Sequence, residues 1–86
     1  MPLPLPGTAG DAVVSEVQHP DGRWKRVYAS GLREQHFGNG DVKKVLACGT
    51  VEYFYAEVAS WQVTHPAGVD VFFFPSGQVE AHHPAA

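Results

Sequence analysis

PDG-RWKRVY-ASG-LREQHF-GNG-DVKKVL-ACG, residues 20–49, decides the fold. Three-residue phrases ending in Gly22, Gly31, Gly40 and Gly49 alternate with six-residue segments, so the glycines recur every nine positions. Downstream, Pro66-Ala67-Gly68 and Pro75-Ser76-Gly77 repeat the phrase, with Gly68 nineteen residues after Gly49 and Gly77 nine after that. Glycine in third place accepts the left-handed backbone of a type I turn closed by a G1 bulge, and proline in first place pre-sets φ for that turn. Six residues of strand and three of loop predict a meander of consecutive hairpins.

Charge tests the register. With three-residue loops, His19 faces Arg23, Tyr28 faces Leu32, Phe37 faces Asp41 and Leu46 faces Thr50. One row across five strands then reads Glu16, Arg26, Glu34, Lys44, Glu52, alternating in sign at every step, and opposite-charge cross-strand pairs stabilise a sheet. Two-residue loops align Arg26, Gln35, Lys44 and Tyr53, which has no such order. The even face of these strands carries Trp24, His36, Val42 and Phe54 on one side of the ladder and Val14, Tyr28, Leu32, Leu46 and Thr50 on the other. The odd face carries Phe37 with Tyr55, then Lys25, Gln35, Lys43 and Tyr53, then Val27, Val45 and Val51. A half-buried sheet alternates apolar and polar faces; here both are mixed, as in a sheet free on both sides. The irregular step at Ala56–Ala59 is read as a four-residue loop pairing Tyr55 with Ser60. It exchanges the parity of later strands and gathers Phe37, Tyr53, Tyr55, Phe72, Phe74 and Glu80 on one surface. The expected fold is all-β, a single-layer antiparallel meander of about seven to eight short strands with both faces exposed.

Composition bounds the function. The 86 residues have length for one small domain, and valine occurs twelve times, leucine four times and isoleucine never. Six Lys+Arg against nine Asp+Glu give a net charge of −3, which disfavours nucleic acid, including a small nucleic-acid-binding barrel. The lone Cys48 excludes an internal disulfide framework and fits a reducing compartment. No signal-peptide or membrane-spanning pattern is read, so the expected class is a soluble intracellular domain. Residues 1–12, with Pro2-Leu3-Pro4-Leu5-Pro6, read as a flexible tail and 13–86 as the sheet domain. His82 and His83 point to opposite faces of a strand and cannot share an ion, so no metal and no cofactor is expected. A single-layer sheet offers no cleft for paired carboxylates, which argues against an enzyme.

Phe37-Gly38-Asn39-Gly40-Asp41-Val42-Lys43-Lys44-Val45 and Val51-Glu52-Tyr53-Phe54-Tyr55-Ala56-Glu57 resemble the T-complex protein 10 C-terminal (G-box) family. His65-Pro66-Ala67-Gly68-Val69-Asp70-Val71 and Phe74-Pro75-Ser76-Gly77-Gln78-Val79-Glu80-Ala81-His82 extend the resemblance, which runs from about Gln18 to Pro84. It implies a single-layer sheet acting as a scaffold in centriole assembly, at the centrosome in the cytoplasm, where it docks a proline-rich segment of a STIL-type partner. Position by position, it implies ligand contacts for Phe37, Tyr53, Phe74 and Glu80; Tyr55 joins them on the same face. Rings suit a polyproline II guest, which is already extended. Gly38 stands where the family usually has an aromatic, the Leu46-Ala47-Cys48-Gly49 turn is less polar, and Trp61 replaces a small polar residue. The chain looks like a shortened or divergent paralogue, and the alternative reading is one that has lost centriolar binding for a nuclear, regulatory role. Edge-to-edge self-association is a further expectation, since open sheets have free edges.

Overall fold

A computed structural model of the chain describes residues 11–84. Eight strands follow one another: β1 (Val13–Gln18), β2 (Trp24–Tyr28), β3 (Arg33–His36), β4 (Val42–Val45), β5 (Val51–Tyr55), β6 (Ser60–Thr64), β7 (Asp70–Phe73) and β8 (Val79–His82). They form one antiparallel sheet in sequence order, β1 to β8, with no helix among the described residues.

The glycine period is realised at all six phrases. In each, the residue before the loop donates its backbone N–H to the residue after it, as in His19 to Arg23 at 2.8 Å and Phe37 to Asp41 at 2.9 Å. The loop glycine closes the tight turn, as Gly40 does to the Phe37 carbonyl at 3.1 Å. Its φ of +93° explains the residue type, because a side chain there meets its own backbone. A Cβ on Gly40 would also lie 3.1 Å from that of Ala56, so loops on the same edge of the sheet nest together.

The charge ladder sits in the expected register: Glu16 opposite Arg26, Arg26 opposite Glu34, Glu34 opposite Lys44, and Lys44 opposite Glu52. Among the described residues ion pairs close at two of these four steps, Arg26–Glu16 at 2.6 Å and Lys44–Glu34 at 3.8 Å. Glu34 also accepts from the Tyr28 hydroxyl at 3.1 Å, and Arg26 lies 4.5 Å over the Trp24 ring. Register shifts at Val13/Ser15, so Val14 is a bulge residue and leaves the row in which it was expected beside Tyr28. Here the incoming chain is drawn to the β2–β3 loop: Ala29 donates to the Ala12 carbonyl at 2.8 Å, and the Ser30 backbone N–H donates to the Asp11 carboxylate at 3.0 Å. The proline–leucine run 2–6 lies outside the described residues.

The step from β5 to β6 is the four-residue loop 56–59, with Tyr55 opposite Ser60. Ala59 takes φ +49°, the only left-handed non-glycine residue among those described. Two faces result. The back face carries a row across seven strands, Trp24, His36, Val42, Phe54, Trp61, Phe73 and Val79. The front face carries Lys25, Gln35, Lys43, Tyr53, Gln62, Phe72 and Glu80. A core in the ordinary sense is missing. Leu32 is the only buried apolar side chain among the described residues, and Lys44 and Ser60 are the buried polar ones. Each layer-free face holds itself together by packing across neighbouring strands.

Candidate functional site

Tyr53 organises the front face. It lies mid-strand in β5, and its ring centroid is 6.0 Å from that of Phe37 and 4.6 Å from that of Tyr55. Phe37 follows β3 at the start of its loop, where the Phe37–Asp41 closing pair continues the row of Tyr55. The Tyr53 hydroxyl donates to Asp41 Oδ2 at 2.8 Å, while the Ala56 backbone N–H donates to Asp41 Oδ1 at 2.9 Å. One carboxylate therefore fixes the Tyr53 ring and joins the β3–β4 loop to the β5–β6 loop. The Ala56 bond and then the Tyr53 bond hold the Asp41 pKa below its ordinary value, and the bond to Asp41 raises that of Tyr53. Both shifts keep the proton on the phenol and the charge on the carboxylate.

Two strands further on, Phe72 and Phe74 stack with centroids 6.4 Å apart, and His82 meets the Phe72 ring edge-on at 5.1 Å. Glu80 faces Phe72 across the β7–β8 pair. Its two oxygens take Gln78 Nε2 at 3.1 Å and His82 Nε2 at 3.3 Å. Between the two groups of rings runs β6, with Ser60 and Gln62 on this face. The Tyr55 hydroxyl donates to Gln62 Oε1 at 2.5 Å, and Gln62 Nε2 donates to Asp70 Oδ1 at 3.1 Å. The Thr64 hydroxyl bonds the same Asp70 oxygen and, with Gln62, lowers the Asp70 pKa.

All five residues singled out in the sequence thus share one face, as two aromatic pads flanking a polar strip, with Glu80 at the far end. Tyr55 is exposed; Phe37, Tyr53, Phe74 and Glu80 are half-buried. Asp41, Gln62 and Asp70, which orient the rings and the strip, were not singled out. The signal for Asp41 was present: the register sets it opposite Tyr55 and diagonal to Tyr53, within reach of a tyrosine hydroxyl. No group of three metal-ligating side chains occurs among the described residues. Exposed Cys48 is paired with Thr50 Oγ1 at 3.3 Å, which lowers its pKa.

Known proteins share this fold. The family model for the T-complex protein 10 C-terminus matches residues 12–45. Centrosomal P4.1-associated protein (CPAP) of Homo sapiens is 34% identical over 89 residues, covering 81% of this chain. The chain spans about 7% of the length of that relative. The solved G-box domain of the microcephaly protein CPAP superposes with a TM-score of 0.77 at 38% identity, over 81% of this chain and 46% of that one. The TCP10 domain of Danio rerio CPAP, solved in complex with a peptide of Danio rerio STIL, matches at TM-score 0.56 and 34% identity over 81% of this chain and 45% of that one. Turn period, sheet order and these matches agree: the chain belongs to the T-complex protein 10 C-terminus family.

Proposed function

We propose that this chain is a non-enzymatic scaffold module of centriole assembly, acting at the centrosome, whose front face docks a proline-rich segment of a STIL-type partner. Phe37, Tyr53, Tyr55 and Phe74 take the ligand, and Glu80 fixes its direction. The spacing of the two pads carries the reading. Tyr53 in β5 and Phe72 in β7 are separated by one intervening strand. At about 4.8 Å per strand the pads stand roughly 9.6 Å apart. One turn of polyproline II, three residues at about 3.1 Å each, advances roughly 9.3 Å. Prolines three apart therefore meet successive pads, and half-buried Gln62 faces the backbone between them. The relative solved with a STIL peptide supports the partner class.

Glu80 suits the end of such a groove because a half-buried carboxylate accepts from a ligand backbone N–H or pairs with a basic side chain. His82 and Gln78 already aim it. Among the described residues β1 and β8 pair on one side only, which also supports edge-to-edge self-association.

Titration of the 86-residue chain with a synthetic peptide carrying prolines at positions i and i+3 tests the reading by isothermal calorimetry. Saturable binding that Phe37→Ala or Phe74→Ala weakens at least tenfold is expected. Absence of binding by the unaltered chain overturns it in favour of a divergent role.

A further inference from the structure

We propose that the front face carries a second subsite, a cationic groove over β2–β4 that receives an acidic segment of the same extended ligand. The inference rests on the proposed docking of a proline-rich peptide and adds the charge pattern of the ligand beyond its prolines.

The chain is acidic overall, yet its cations are not scattered. Of six Lys and Arg residues, Lys25, Arg33 and Lys43 share the front face of three consecutive strands. They line one shallow groove of about 520 Å³ with Val27, Gln35 and Val45. Lys25 and Arg33 are exposed and Lys43 is half-buried. Among the described residues none of the three closes an ion pair, whereas Arg23, Arg26 and Lys44 each do. Glu34, the one carboxylate bordering the groove, belongs to the back-face row and is engaged by Tyr28 and Lys44. Of the front-face carboxylates, Asp70 and Glu80 lie on the other half of the sheet, in β7 and β8, while Asp41 stands just before β4 beside the groove and is already engaged. Asp41 is held by Tyr53 and Ala56, Asp70 by Gln62 and Thr64, and Glu80 ends the row. The face is thus polarised from Lys25 at one end of a continuous row to Glu80 at the other, with the aromatic pads between.

An extended guest crossing the strands reads that gradient. Lys43 and Glu80 are separated by four strand steps, roughly 19 Å at about 4.8 Å each. That distance is about six residues of polyproline II, and Lys25, two strands further, extends it to about nine. The fitting ligand has a basic residue at one end, prolines over the pads, and Asp or Glu six to nine residues from the basic end. Three cations over a groove of this size suit a short acidic peptide. A nucleic-acid strand needs a longer basic track and would meet Asp70 and Glu80 on leaving it.

The test uses the full chain, ¹⁵N-labelled, at 50 mM salt. The probes are a twelve-residue proline-rich peptide, two versions of it with four glutamates added at one end or the other, their tetralysine counterparts, and a twelve-nucleotide single-stranded DNA. One glutamate extension is expected to tighten binding about three- to thirtyfold, the range for two or three exposed ion pairs. It should add shift changes at Lys25, Arg33 and Lys43, and lose the gain at 0.5 M salt. Charge reversal at Lys25→Glu, Arg33→Glu and Lys43→Glu should transfer the preference to the lysine extension. Because the salt and lysine arms use the unaltered chain, they decide the question even where that variant does not fold. Equal affinity for all extensions, or DNA moving the same amides at lower concentration than the acidic peptide, overturns the proposal while the proline-rich reading stands. If the unextended peptide fails to bind, that reading falls. A free tetraglutamate peptide then decides the groove: shifts confined to β2–β4 sustain it, and none overturns it.

Discussion

Tyr53 and Phe54 are chain neighbours that the register sends to opposite faces, which makes them a matched pair for testing the whole scheme. Tyr53→Ala removes ring contacts with Phe37 at 6.0 Å and Tyr55 at 4.6 Å, together with the bond to Asp41. At about 0.5–1.5 kcal/mol per aromatic pair, the two contacts amount to about 1–3 kcal/mol of stability. Phe54→Ala removes one ring contact, with Trp61 at 5.0 Å, and the cross-strand packing on Val42. Its cost is about 0.7–2.5 kcal/mol by the same reckoning. Both variants should therefore melt lower by a similar margin, on the order of 4–8 °C per kcal/mol for a domain of this size. Binding should separate them. Truncating a central aromatic anchor costs about 2 kcal/mol or more, roughly thirtyfold in Kd, whereas an aromatic on the far face costs nothing directly. Calorimetric titration of the proline-rich peptide, run well below the melting temperature of both variants, reads the difference. If Phe54→Ala weakens binding as much as Tyr53→Ala, the ligand does not lie on the front face and the docking argument fails.

Other perturbations probe the sheet itself. Leu32→Ala removes the only buried apolar side chain among the described residues; chemical denaturation should register a loss of about 2–3 kcal/mol, and a change under 1 kcal/mol would show that the position is not a packing centre. Ala59→Gly relieves a left-handed backbone at φ +49° and should raise the unfolding free energy measured by chemical denaturation by about 0.5–1 kcal/mol, the left-handed penalty less the added entropy of glycine. His36 stacks on Trp24 at 3.7 Å and its buried Nε2 has no hydrogen-bond partner; desolvation, outweighing the nearby Glu34 carboxylate, holds its pKa below the ordinary value of 6.5. The unfolded chain therefore takes up the proton first, so this contribution to stability is intact above pH 6.5 and is lost as the pH falls below it. The carboxylates with lowered values, Asp21, Asp41 and Asp70, start from 3.8, which leaves the interval between to the histidine; in denaturation series across it, His36→Gln should flatten the slope, and an unchanged slope assigns the effect elsewhere.

The turns and the register were legible because each loop is local: a glycine that must go left-handed announces itself in three residues, and nine-residue spacing then fixes the cross-strand pairs on either side of the irregular 56–59 step, from Trp24–His36 to Val42–Phe54 and from Trp61–Phe73 to Phe72–Glu80. The Val13/Ser15 bulge was not legible, since it depends on Asp11 and Ala12 reaching the β2–β3 loop, a tie between segments that the period does not describe. The ladder was read correctly as an alignment and too generously as ion pairs. Opposed charges share a row, but Arg26 turns to Glu16 and lies over Trp24, and Glu34 turns to Tyr28 and Lys44, so the Arg26–Glu34 and Lys44–Glu52 steps do not close as ion pairs among the described residues. At the site, the family resemblance picked the residues and strand parity put them on one face. Orientation was not legible, because Asp41 acts through a hydroxyl twelve residues away and Gln62 links Tyr55 to Asp70.

An open sheet of this kind divides its labour between faces. Inter-strand contacts run only between consecutive strands, so stability is a sum of nearest-neighbour terms, as in repeat proteins. The back-face row supplies many of those terms, with His36 on Trp24 at 3.7 Å and Phe54 on Trp61 at 5.0 Å. That relieves the front face of carrying the fold alone and lets its rings stand in two separated pads instead of one continuous cluster. A rigid ligand laid across β4 to β8 then makes contacts that the protein itself lacks, joining strands that do not touch one another. On the proposed docking, affinity and stability are coupled: each pad the guest engages holds its hairpin against fraying, and a polyproline helix is stiff enough to transmit the constraint from one pad to the next. The same single-layer build that leaves one buried leucine among the described residues is what keeps the proposed docking surface open.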